Sequence, residues 1–154
     1  METILIILLI ILVTFCILIL VFLHKVNKKK KLELTMKVVL DAREKFKLSN
    51  NELKKEIGNK ELSSLDVEEI FTSKSQIVLK IRDLLGIFEN LSTSVNMGIL
   101  DINYIARTSK TYFIKVFEQW KPFIDYRRND TGNKKLYIEF QTMIEKLKKD
   151  FNDK

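Results

Sequence analysis

In the stretch LLGIFENLSTSVNMGILDINYI, Leu84 to Ile105, a carboxylate occupies the most apolar part: Glu89, between Phe88 and Leu91. A carboxyl group among apolar side chains can act as a general acid, because burial disfavours its charged form. With a cationic partner it can instead fix how two helices register. Glu89 comes four residues after Leu85 and one after Phe88, so it flanks an apolar stripe. Arg127 has a matching place, four after Phe123 and three after Ile124, and its planar guanidinium suits a carboxylate bidentately. The spacing predicts a structural ion pair between Glu89 and Arg127 in preference to a catalytic group. The plainer alternative is that Glu89 is a wetted rim residue.

The remaining inventory for chemistry is thin. The one histidine is His24 and the one cysteine is Cys16, both at or inside an apolar N-terminal segment. That excludes histidine-assisted nucleophiles, the usual zinc ligand sets and the Glu-x-x-His pairs of di-iron bundles. Gly58, Gly86, Gly98 and Gly132 stand apart, so no glycine-rich phosphate loop exists. Asp66, Glu68 and Glu69 read as a solvated face, and Tyr112, Phe113, Phe117 and Trp120 as core at helical spacing. No catalytic residue, metal site or cofactor is expected, and no enzyme activity. The segment from Leu48 to Ile70 has the outline of a helix-turn-helix. However, Lys54 stands where a small residue lets two helices meet, and Glu61, Asp66, Glu68 and Glu69 would repel phosphate. Nucleic acid is not an expected partner.

The elements that position these residues begin with Thr3 to Leu23, a run of 21 residues without charge, Pro or Gly. As a helix it spans about 31 Å, the thickness of a bilayer's hydrocarbon core. A cleaved signal peptide would have a basic start, a shorter run and small residues before the cut; Val21-Phe22-Leu23-His24 offers no such site. Residues 1–24 are therefore expected to be an uncleaved single-pass anchor in the cell membrane. Lys25, Lys28, Lys29, Lys30 and Lys31 follow, as residues 25–31. Lysines beside a span stay cytoplasmic, which predicts an external N-terminus and a cytoplasmic C-terminal part.

The net charge of +7 divides accordingly. Beyond Glu2 the chain has 27 basic against 19 acidic residues; without the five juxtamembrane lysines the balance is 22 against 19. The basic excess thus sits mostly beside the membrane, where each lysine gains about 1 kcal/mol near anionic lipid. One cysteine in the apolar run leaves no disulfide framework, as suits a reducing compartment.

Past the lysines the apolar spacing is helical throughout, and an all-α fold is predicted: an N-terminal transmembrane helix followed by a small cytoplasmic helical bundle. Residues 32–76 are expected to hold juxtamembrane helices and a polar connector. Leu32, Met36, Val39 and Phe46 mark the first of these helices, which leaves the membrane either as a separate helix or in continuity with the span, and Asn50 and Asn51 offer caps for a short one ending at Gly58. Residues 77–154 form the amphipathic bundle. Its first stripe is Ile77, Ile81, Leu84, Phe88, Leu91 and Val95, closed by Gly98 as the residue after the helix end and followed by Asp101 as an N-cap. The second runs from Ile102 to Trp120, with Pro122 stopping it, kinking it or opening a new helix. After a turn at 129–133, Leu136, Phe140, Met143, Leu147 and Phe151 form the third.

LGIFENLSTSVNMGILD, then WKPFIDYRRND and a closing YIEFQTMI, resemble a bacterial and phage family known as domain of unknown function 4760; the resemblance is placed on the run from Arg82 to Tyr137. It implies a helix with a buried Glu before a small-residue turn and an acidic cap. It also implies a later helix ending in Ile-x-x-x-Arg, which Ile124 and Arg128 match, so either Arg127 or Arg128 can be Glu89's partner. Many members look like short membrane-anchored helical proteins.

The expected function is a non-enzymatic membrane-anchored interaction or scaffold module. Its partners would be the lipid bilayer and either a cytoplasmic protein or further copies of itself. The alternative is an oligomerising membrane effector that disturbs the bilayer, in phage defence or a prophage function. Against a pore, the span has no small-residue stripe and no charge to line a channel.

Overall fold

The computed structural model describes residues 2–58 and 62–150. Five helices follow one another: α1 (Glu2–Ile57), α2 (Ser64–Ser73), α3 (Ser75–Asn96), α4 (Ile102–Thr131) and α5 (Ile138–Asp150). Among the described residues there is no strand, and the chain is all-α.

α1 is unbroken through 56 residues, about 84 Å at the usual rise. Its first half carries apolar side chains that nothing in the bundle covers; Leu18, Leu20 and Phe22 are each about two-thirds exposed. Its second half is a core helix, with Val39, Ala42, Phe46 and Leu53 buried; Leu32 and Met36, expected on the same stripe, are exposed, because the face that packs carries Thr35 in their place. The expected cap at Asn50 and Asn51 is not used, and no separate helix begins there. Asn50 sits in the wall of the core, where its Oδ1 accepts from Gln119 Nε2 at 3.1 Å. With the amide occupied by a tertiary partner and Leu53 buried one turn on, the helix runs through to Ile57.

Pairs along the chain set the directions. Glu56 meets Lys80 at 2.6 Å, Phe46 meets Phe88 edge-on at 5.3 Å, and Thr35 meets Asp101 at 2.9 Å. α3 therefore runs antiparallel to the second half of α1. α4 returns alongside it, placing Tyr112 on Phe46 and Gln119 on Asn50. α5 lies across α3 and α4, with Phe140 stacked on Phe88 and meeting Phe117 edge-on. α2 closes the end away from the apolar half, where Phe71 stacks on Phe123 and Tyr126. Phe88 touches Phe46, Phe113 and Phe140 and is the hub of one core. Because Val39, Phe46, Leu53, Val67 and Ile70 also belong to that core, residues before Ile77 complete the bundle.

Local signals explain the ends. Ser63 and Asp66 form a reciprocal capping box at the start of α2, which gives Asp66 a structural place beyond a solvated face. Gly98, at φ +76°, closes α3: Ile99 N–H donates to Ser94 C=O at 2.9 Å and Gly98 N–H to Val95 C=O at 3.0 Å, the paired bonds of a Schellman end. Pro122 neither stops α4 nor opens a new helix; it lies inside it. An interior proline costs about 3 kcal/mol, while burying side chains the size of Trp120, Phe123 and Ile124 gains about 1.5–3 kcal/mol each. Packing wins. The last helix begins at Ile138, and Leu136 belongs to the preceding turn; Phe151, expected on the same stripe, lies outside the described residues.

Candidate functional site

The end of the molecule where α1 leaves the bundle gathers most of the residues of interest. Lys25, Lys28, Lys29 and Lys30 are exposed there and Lys31 is half-buried; Lys29 reaches Glu33 at 3.8 Å. At this level Thr35, fully buried, bridges two elements. Its Oγ1 donates to Lys31 C=O at 2.7 Å and accepts from Asp101 N–H at 2.9 Å. The Asp101 side chain in turn accepts from Asn103 N–H at 2.9 Å, capping α4 as its position suggested. Gly98 and Asp101, read as local caps, are thus also the point where the α3–α4 turn docks on α1. Thr35 carries no sequence signal for this role beyond its place on the buried face of a helix.

Glu89 answers to a different partner from the one its spacing suggested. Its carboxylate accepts from the backbone N–H groups of Glu139 at 3.2 Å and Phe140 at 2.8 Å, which are among the free donors at the start of α5. No ion pair of Glu89 with either arginine occurs among the described residues. Arg127 instead pairs with Asp130 at 2.9 Å and lies 5.6 Å from the centre of the Phe71 ring. Arg128 donates to Leu136 C=O at 2.9 Å and to Gln141 Oε1 at 2.8 Å. Glu89 and Arg128 therefore grip the same helix start from opposite sides of its chemistry, one on its N–H groups and one on the turn before it.

The reason lies in the turn. Tyr137, immediately before α5, has φ 56°, a left-handed conformation that no ordinary N-cap adopts. A carboxylate from α3 supplies what the local chain cannot, and its negative charge suits the positive end of a helix. Burial raises the Tyr137 phenol pKa, with Arg127 and Arg82 lowering it and Glu89 and Asp83 raising it, so this corner holds charges of both signs. Asn96 adds a further tie: it donates to Glu139 C=O at 3.0 Å and to its carboxylate at 2.7 Å, and accepts from Lys146 at 3.0 Å.

A second cluster lines a shallow groove between α1 and α4: Arg43, Phe46, Lys47, Asn50 and Tyr112. Arg43 lies over the Tyr112 ring at 4.8 Å. Burial pushes the pKa of the Tyr112 hydroxyl up to about 12, with Arg43 acting the other way, and that hydroxyl has no hydrogen-bond partner among the described residues. Among the described residues, no group of three or more His, Cys, Asp or Glu side chains could hold a metal ion.

No curated protein and no solved structure matches the chain. A family model does, from residue 4 to residue 147, which takes in the apolar half of α1, the lysine cluster and the packed helices as far as Leu147 in α5. The resemblance thus extends well beyond the segment between Arg82 and Tyr137. The chain belongs to the family described as domain of unknown function (DUF4760).

Proposed function

We propose that the protein is a non-enzymatic, single-pass membrane module that presents its helical bundle to a cytoplasmic protein partner or to further copies of itself. The observation that carries this reading is α1. One unbroken helix is long and apolar enough in its first half to cross a membrane, and its second half is built into the bundle core. No flexible joint separates the two, so a bundle tethered in this way keeps a fixed height above the membrane and turns or tilts only with α1 itself. The lysines between the halves support an external N-terminus and a cytoplasmic bundle.

The test is purification from the native membrane in mild detergent, with a tag at Lys154, followed by light scattering and peptide identification. A stoichiometric companion, or a defined oligomer that leaves membranes intact, is the expected result. Recovery in the aqueous fraction after carbonate washing would overturn the anchoring. Growth arrest with loss of membrane potential on overexpression would favour the alternative, a membrane effector in phage defence or a prophage function. The wholly uncovered apolar half of α1 leaves room for that reading.

A further inference from the structure

The α3–α4 turn ends in two apolar side chains with nothing over them. Met97 is 71% exposed and Ile99 50%, while Leu100 beside them is 3% exposed. Lone exposed apolar residues are ordinary, and Leu65, at 78%, is one at the opposite end of the bundle. What distinguishes Met97 and Ile99 is their position. α3 runs antiparallel to α1, so its C-terminal end points towards the apolar half, and the Asp101–Thr35 bond fixes that end against α1. Thr35 comes twelve residues after Leu23, about 18 Å along a helix axis. By the direction of α3, the turn lies on the side of Asp101 that faces the span, the side from which the lysine cluster follows.

The turn does not need these two side chains to form. Its backbone bonds, Ile99 to Ser94 and Gly98 to Val95, close it. In a Schellman end, the residue at the place of Ile99 usually packs on an apolar residue at the place of Ser94. Here that residue is a serine, so the apolar contact that often accompanies such an end is missing there, and Ile99 stays 50% exposed.

We infer that Met97 and Ile99 form a second membrane contact, inserting into the headgroup layer of the same leaflet beside the lysine cluster. The inference rests on the anchoring proposed above. The polar layer of a bilayer is about 5–7 Å deep on each side, and membrane helices tilt by about 20° on average. About 11–13 Å then separates the level of Thr35 from that layer, and the extension of the turn beyond Asp101, the length of a methionine side chain and a tilt towards the bundle of about 20° must close it together. Lys25, Lys28, Lys29 and Lys30 draw anionic headgroups to the same place. With two points of contact, the bundle is held at one angle to the membrane instead of turning about a single helix.

The full chain in nanodiscs of phosphatidylcholine and phosphatidylglycerol provides the test. A nitroxide label is attached in turn to the natural Cys16, to Met97→Cys, to Ile99→Cys and to Leu65→Cys, the last three with Cys16→Ser. Collision with oxygen, which concentrates in lipid, and with a water-soluble nickel chelate reports depth. The expected result is a label at Cys16 shielded from nickel, one at Leu65 open to it, and labels at Met97 and Ile99 severalfold less accessible to nickel than Leu65 and more accessible to oxygen. Labels at 97 and 99 that match Leu65 while Cys16 stays shielded would overturn the inference and leave the anchor standing. A nickel-accessible Cys16 would remove the anchor and the inference together. Shielding at 97 and 99 from both reagents, with spin–spin broadening that disappears on dilution with unlabelled protein, would assign the turn to a second copy and overturn it as well.

Discussion

Glu89 Oε2 accepts the backbone N–H of Phe140 at 2.8 Å, across 51 residues of sequence, and so caps a helix to which it does not belong. Its other oxygen takes the neighbouring N–H of Glu139. Both bonds are charge-assisted, and both donors would otherwise be open N–H groups at the first turn of α5.

Replacing Glu89 by Gln leaves one oxygen to accept and turns an amide group towards an N–H. A loss of about 1–3 kcal/mol is expected. Arg127→Gln removes the pairing with a half-exposed Asp130 and the contact with the Phe71 ring, and should cost about 1 kcal/mol. Thermal denaturation of both variants checks this. Equal losses would restore an ion pair across the bundle as the partner of Glu89.

Thr35→Val keeps the shape of the side chain and removes its hydroxyl, which leaves the Asp101 N–H without its partner. The expected cost is about 1–3 kcal/mol, the usual penalty for a stranded donor. Hydrogen exchange should speed up at the Asp101 amide, with the amides at the Phe88 level little changed. Uniform acceleration throughout the bundle would mean that Thr35 matters only for global stability.

Phe88→Ala opens a cavity at the centre of the aromatic cluster and should cost about 3–5 kcal/mol. Leu65→Ala, at an exposed position, should fall within about 0.5 kcal/mol of the parent. Chemical denaturation separates the two.

Tyr112→Phe deletes a buried hydroxyl that has no partner among the described residues and should raise stability by about 1 kcal/mol. The same hydroxyl gives a pH signature. Its folded pKa, about 12, lies above the ordinary value of 10.0. Between the two, the folded chain holds a proton that the unfolded chain has lost. The contribution is therefore complete below pH 10 and falls away as the pH climbs towards 12. Unfolding curves across that window should show a steeper alkaline loss in the parent than in Tyr112→Phe.

Much of the architecture was legible from residues a few places apart. The apolar run to Leu23, the stripe from Ile77 to Val95, Gly98 as the helix end and Asp101 as the cap depend on spacing within one or two turns, and local geometry settles such features. The partners of Glu89, Thr35 and Asn50 lie 50, 66 and 69 residues away respectively. Where a half-buried carboxylate finds its donors depends on how helices cross, and periodicity along one chain does not contain that angle. Arginine was the strongest donor by chemistry alone. The left-handed Tyr137 left α5 with open N–H groups closer at hand. The same holds for α1 and Pro122. Asn50 would cap a helix in isolation and Pro122 would break one, because in water local bonds and ring clashes dominate. In the folded chain, Gln119 occupies the first, and Trp120, Phe123 and Ile124 outweigh the second. The sequence by itself determined the helices and buried faces from Ile77 onward, but not α2, which lies in the stretch read as a polar connector, nor the buried face of α1, where Thr35 and Ala42 are buried and Leu32 and Met36 exposed. The tertiary structure decided those and which polar group satisfies which, since burial makes an unpaired group costly wherever its partner lies in the chain.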